Sequence, residues 1–346
     1  MQTTSYLYRP VLKKAFDITK KFKNLWFFGL FAVLVSAGGE YEILSRAVYN
    51  DTASGGLINT FLASFQSGWQ EGLGLADGSF WRNSWLLIIG NPAAVATTLF
   101  VFLLIVTLTL FVIWLAVAAQ IALIKGCSVA GKNKKFEIGE GLDYANSNFW
   151  PVLGLAAILK AVLFLLFGIL SWEIMLLAGL GWFGSLIYLL SFIVFVAAVL
   201  VISFILKYQI FYILLKRQKF AAAFNSAWLL FKKNWLISLE MALIMFIVYL
   251  AAAAVSAFII TFLSGIPLVV IPYYLIALPV FLKVVFSALA VILIVVGVLL
   301  VTAIMTTFQW AGWTALFDRL AGDEGVSKLE RWGDELKKLP ETVFGK

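Results

Sequence analysis

A chain of 346 residues that is 63% hydrophobic and only 13% charged, with a mean hydropathy of +1.00, carries more apolar surface than a water-soluble core can bury. It contains no His, which removes the commonest neutral-pH acid/base group and the commonest metal ligand, and a single Cys, Cys127, which excludes an internal disulfide. Zinc chemistry and Ser-His or Cys-His nucleophile pairs are therefore excluded in their usual forms, and the expectation is a non-enzyme that needs no cofactor and binds no nucleic acid, despite a net charge of +8.

The charge pattern begins at the N-terminus. Tyr8, Leu12, Ala15, Ile18 or Thr19, and Phe22 recur at helical spacing, while Lys13, Lys14, Asp17, Lys20, Lys21 and Asn24 take the opposite face. Such a helix lies in the plane of a membrane interface, with lysines among anionic headgroups. Asn24-Leu25-Trp26 then opens an apolar run to about residue 44, weakened by Gly38, Gly39 and Glu40. The basic start, the apolar stretch and the small residues Val35-Ser36-Ala37 also fit a signal peptide. Recurrence of the same amphipathic lead-in further along favours a retained span.

Residues 40 to 92 form the largest segment on the outer side, with Leu57, Ile58, Phe61, Leu62, Phe65 and Trp69 at helical spacing and Phe80, Trp81 and Trp85 as aromatic anchors. Further apolar runs cover roughly 93 to 124, 151 to 170, 183 to 206, 236 to 263 and 284 to 317. Each exceeds or approaches the ~20 residues that a helix needs to cross about 30 Å of hydrocarbon. Six spans result. Helical character in the fourth and sixth runs on to Lys219 and Leu320, so their ends should project beyond the bilayer, where Tyr208, Phe211, Tyr212 and Leu215 are placed to pack on the surface helices.

Two more lead-ins precede spans. Residues 136 to 148 end in Asn148-Phe149-Trp150, and Ala223, Phe224, Ala227, Leu230 and Phe231, with Lys232 and Lys233 behind, end in Asn234-Trp235. The fold class expected is all-α: six transmembrane helices arranged as three repeats of amphipathic surface helix plus hairpin. Residues 1 to 320 make one membrane domain and 321 to 346 a short amphipathic tail bearing Val326, Leu329, Trp332 and Leu336. Basic residues set the orientation, since 22 of the 26 Lys and Arg fall on one side. Arg46, Arg82 and Lys283 are the basic residues on the other. The positive-inside rule then puts both termini in the cytoplasm, in a multi-pass protein of the cytoplasmic membrane.

Two motifs mimic nucleotide sites. Gly126-Cys127-Ser128-Val129-Ala130-Gly131-Lys132 has the letters of a phosphate loop, but a membrane helix precedes it and Asn133 stands where Ser or Thr would hold magnesium. Gly179-Leu180-Gly181-Trp182-Phe183-Gly184 has the dinucleotide spacing without a preceding strand or a later acidic partner. Both read as turns.

Charges inside spans carry a functional prior. Lys160 lies ten residues past Trp150 and Glu240 five past Trp235, so at 1.5 Å per residue their depths differ by about 7 Å, within the reach of a bent Lys side chain. One reading is an ion pair that fixes helix packing; the other is a proton or solute site. The scarcity of further polar residues at that depth favours packing. Gln120, Gln209, Gln309, Thr97, Thr98, Thr107 and Thr109 suit interhelical hydrogen bonds. The basic interface residues Lys13, Lys14, Lys20, Lys21, Lys232 and Lys233 are the candidate contacts to anionic lipid.

The Asn-Trp entries from surface helix into span, with six spans of this orientation, resemble bacterial integral membrane families, among them the membrane domain found alongside some glycerophosphoryl diester phosphodiesterases. In those proteins the resemblance assigns chemistry to a separate soluble barrel with acidic and His residues, which has no counterpart here, so no catalytic residue carries over. The sequence thus points to a membrane organiser or partner-binding protein. The alternative is a transporter or lipid-handling protein with a cavity between hairpins containing Lys160 and Glu240.

The topology is directly testable. In a Cys127→Ala background, a cysteine at position 70 should react with an impermeant thiol reagent in intact cells and one at position 132 should not; the reverse pattern would invert the orientation.

Overall fold

A computed structural model describes residues 8–36, 92–177, 181–265 and 280–322. Among them are seven helices and no strand: α1 (Tyr8–Lys21), α2 (Asn24–Ser36), α3 (Pro92–Ala130), α4 (Ile138–Leu177), α5 (Gly181–Lys216), α6 (Phe220–Gly265) and α7 (Val280–Leu320). The outer-side segment, the Pro-containing stretch after α6 and the tail lie outside the described residues, as does the end of the first span.

Five of these helices, α3 to α7, are long and apolar enough to cross a membrane, and α2 is a shorter apolar helix. At 36 to 46 residues each they measure about 54 to 69 Å, well beyond about 30 Å of hydrocarbon. α4 and α6 are long because each merges its lead-in with its span.

The chain divides into two compact units. The first holds α1, α2, α6 and α7 with residues 116–130 of α3, the start of α4 and residues 204–216 of α5. Its core is laid along the final turns of α7. Trp310, Trp313, Leu316 and Phe317 are buried there against Phe204, Tyr208, Phe211 and Leu214 of α5. Ring pairs define the contact: Phe211 stacks on Phe317 with centroids 5.1 Å apart, Tyr212 meets the same ring edge-on at 5.1 Å, and Phe204 lies 5.8 Å from Trp313. Such pairs each contribute about 0.5–1.5 kcal/mol beyond area burial. Tyr208, Phe211 and Tyr212, expected to pack on the surface helices, thus find their aromatic partners on α7.

Along α3, exposure changes sharply. From Leu99 to Ile113 the large side chains face outward, whereas Ala116 to Ala119 and Ile121 to Ile124 are almost fully buried. α5 and α7 repeat the change, with exposed Phe183 to Val194 giving way to buried Phe204 to Leu214, and exposed Val284 to Leu300 to buried Ala303 to Leu320. An apolar face without protein cover is what lipid solvates, so these helices are lipid-facing along one part and core-forming along the other.

α1 packs on α7. Tyr8, Val11, Ala15, Ile18 and Thr19 are its buried face, so its apolar side is covered by protein, and the covered face is turned by one residue from the sequence reading, with Val11 in place of Leu12. Lys20 and Lys21 close the helix favourably for its dipole. The break before α2 is bridged by the Trp26 indole, which donates to the Thr19 carbonyl at 2.9 Å. α2 then lies against α7 so closely that a Cβ on Gly29 would fall 2.4 Å from the Ala303 carbonyl oxygen.

The second unit is the α4–α5 hairpin with the first part of α3. Leu163 and Leu170 of α4 cluster with Phe195 and Val199 of α5, flanked by Leu159, Leu166, Tyr188 and Val196.

The glycine contacts make a graded prediction. Gly29→Ala meets backbone and should destabilise by roughly 1–3 kcal/mol, the usual range for overpacking. Gly312→Ala meets the flexible Met245 methyl and should cost less. Thermal unfolding in detergent checks the order, and equal losses would contradict a backbone contact at Gly29.

Candidate functional site

The polar residues of the first unit form a seam between helices. At its centre the helical path of α6 is interrupted at Asn234, with φ −126° and ψ 30°. The Ser238 hydroxyl donates to the Asn234 carbonyl at 2.9 Å, and Tyr208 and Ser238 hydroxyls lie 2.6 Å apart. Ser238 has one proton and it is committed to that carbonyl, so Tyr208 is the donor in the second contact. Tyr208 is wholly buried beside Trp313. The Asn234 amide in turn donates to the Leu230 carbonyl at 3.1 Å, and Asn148 in α4 does the same to Tyr144 at 2.9 Å. A short amide bonding one turn back is therefore what Asn supplies at two of the Asn-Trp junctions.

Glu240 lies two residues past Ser238 and is half-buried. The Tyr8 hydroxyl of α1 donates to its carboxylate, tying the N-terminal helix to α6 across the sequence. Lys160 belongs to the second unit, on an exposed face of α4, and Glu240 to the first. Tyr8 is a partner of Glu240 that span-by-span reading passes over, because Tyr8 sits outside any span.

Lys207 is buried with its ammonium 4.1 Å from the Trp313 ring centroid, a desolvated cation–π contact of about 2 kcal/mol. Where α7 ends, the Asp318 carboxylate sits in the field of Lys14, Lys132 and Lys216, which come from three other parts of the chain. Of the interface lysines, Lys13, Lys20, Lys21, Lys232 and Lys233 are exposed, while Lys14 lies over Gly131, where a Cβ would come 3.0 Å from its Cε. Lys21 also reaches the Asn133 side chain at 3.2 Å.

This arrangement explains the phosphate-loop letters. Gly126 leaves room for Leu25 and Phe136, and Gly131 for Lys14. Asn133 has a φ of 58°, donates from its amide to the Ala130 carbonyl at 2.9 Å and is followed by Lys134 bonded to Val129 at 3.4 Å. That is a left-handed helix cap of the Schellman kind. Gly181, from the second motif, has a φ of +57° at the start of α5.

A further carboxylate is embedded in apolar sequence. Glu173 of α4 accepts from the Ser191 hydroxyl of α5 at 2.5 Å, within the second unit. Its signal was available, since the apolar run continues past it through Ile174 to Leu180. Of the polar residues expected to join helices, Gln209 does so by donating to the Phe220 carbonyl at 3.1 Å, whereas Thr97 and Thr109 bond carbonyls of their own helix. Among the described residues no group of three His, Cys, Asp or Glu side chains is placed to hold a metal.

Compared with family models, with curated proteins and with solved structures, the chain matches none. The geometry of the first unit is that of a joint: the contacts Tyr8–Glu240, Tyr208–Ser238 and Gln209–Phe220 each connect one helix to another.

Coupling across the seam can be measured. Tyr8→Phe and Glu240→Gln should each lower stability by up to about 1.5–3 kcal/mol, the scale of a hydrogen bond to a charged group, and the double variant should lose less than the sum. Strict additivity in thermal unfolding would mean that the two side chains act separately.

Proposed function

We propose that the protein is a non-enzymatic organiser of the cytoplasmic membrane that binds anionic lipid and presents its basic end to a protein partner. In this reading six spans form three surface-helix hairpins, with both termini cytoplasmic. The likeness to the membrane domains associated with phosphodiesterases is one of layout.

One observation carries it: in α3, α5 and α7 the buried side chains are concentrated towards one end of each helix, while the large side chains over the rest of its length are mostly bare. Ala116 to Ile124, Phe204 to Leu214 and Ala303 to Leu320 are buried, with Tyr208, Phe211, Trp313 and Phe317 filling the space between helices. A core closed by rings suits a rigid platform held against the membrane surface. Alternating access, by contrast, asks helices to change partners around a polar cavity.

The test is rigidity. With Cys127 replaced, spin labels at the exposed positions Lys135 and Lys219 of the full chain in vesicles should give one narrow distance distribution that is unchanged by a pH or sodium gradient. Two populations that exchange with the gradient would overturn the organiser in favour of transport.

A further inference from the structure

The lead-in to the fifth span has two apolar faces. Within residues 220–233, Ala223, Ala227 and Leu230 of the face read from the sequence are buried in protein, whereas Phe224 of that same set is not. The outward arc carries Phe224, Trp228 and Leu229, which are 45%, 45% and 65% exposed. No charge falls between Lys219 and Lys232, and Asn225 and Ser226 are the polar residues in that stretch. α1 is different, for its outward face sets Lys13, Asp17 and Lys20 around a single exposed ring, Phe16. A helix with protein on one side and bare aromatics on the other has an occupant for the second side.

Direction identifies that occupant. At the segment's start the Gln209 amide bonds the Phe220 carbonyl, and near its end the Phe231 ring lies 6.0 Å from Phe204 in a stacked pair. The eleven residue steps from Phe220 to Phe231, about 16 Å of helix, therefore pass only the five steps from Phe204 to Gln209, about 7 Å of α5. The segment runs across α5. Because α5 is a span, a helix lying across it is close to the membrane plane, and the break at Asn234 then turns the chain into the bilayer beside Trp235, itself exposed.

We propose that residues 220–233 are an insertion element seated in the acyl–headgroup boundary of an anionic leaflet, with Phe224, Trp228 and Leu229 among the acyl chains and Lys232 and Lys233 on headgroup phosphates. An uncharged, aromatic arc followed by paired lysines matches that boundary in both polarity and charge. The inference rests on the membrane reading above only in requiring that α5 span the bilayer.

Single nitroxide labels at 224, 228 and 229, with controls at 102 and 223, in the full Cys127→Ala chain test it in phosphatidylcholine–phosphatidylglycerol vesicles. Labels at the three arc positions should collide with oxygen in preference to a water-soluble nickel chelate, as at 102, while 223 collides with neither. Removing phosphatidylglycerol, or the pair K232E and K233E, should shift position 228 towards nickel. If 102 favours oxygen but 228 and 229 favour nickel, the element lies in water and the proposal fails alone. Low collision with both reagents at 228 and 229 would place a protein on the arc and overturn it equally. Nickel preference at 102 as well would instead defeat the spanning reading.

Discussion

Helix length in excess of bilayer thickness is the constraint from which the rest follows. A helix of 36 or 41 residues cannot be accommodated in hydrocarbon, and its surplus turns, if apolar, have to find each other. Here they do so along the last turns of α7. Trp310, Trp313 and Phe317 supply the surface on which α5 packs, and Ala303 and Thr307, one to two turns earlier, meet α2. The lipid-facing parts need no such partner, because acyl chains solvate Leu and Val as well as protein does.

Much of this architecture was legible in the sequence because a single physical rule, apolar length, decides it. The runs of about 20 residues appear as α3 to α7; the overlong sixth reaches Leu320 as expected, and the fourth stops at Lys216, short of Lys219, where Arg217 takes a φ of 53°. What was not legible was which side of an amphipathic segment meets protein. In α1 the pattern alone cannot say whether Ala15 and Ile18 face lipid or another helix, since both environments reward the same residues. The same ambiguity holds for residues 220–233, where Phe224 shares the helical period of Ala223, Ala227 and Leu230 yet stands with Trp228 and Leu229 on the exposed arc.

Polar partners were the least readable layer. Hydropathy finds Glu240 as an anomaly, but not that a Tyr 232 positions earlier would donate to it. Nor does it show that Ser238 bonds the Asn234 carbonyl at the break and meets Tyr208, or that lysines from three distant parts of the chain act on Asp318. Such contacts are set by how helices cross, which one sequence does not encode locally. The junctions are the exception: at Asn148 and Asn234 an Asn that recurs just ahead of a Trp in sequence proves to be a recurring side-chain amide hydrogen bond in structure.

The docking of α2 on α7 has a consequence for biogenesis. The Thr307 hydroxyl lies 3.3 Å from the Leu25 carbonyl, and the two are separated by 282 residues of chain. At a synthesis rate of about 5–20 residues per second, Leu25 emerges roughly a quarter of a minute to a minute before its partner exists. Through that interval the α1–α2 pair lacks the helix on which both of its members pack, and it stays incomplete long after it is made. A slow ribosome or a delayed final span would leave it waiting at the insertion machinery, where quality-control proteases meet unfinished membrane proteins.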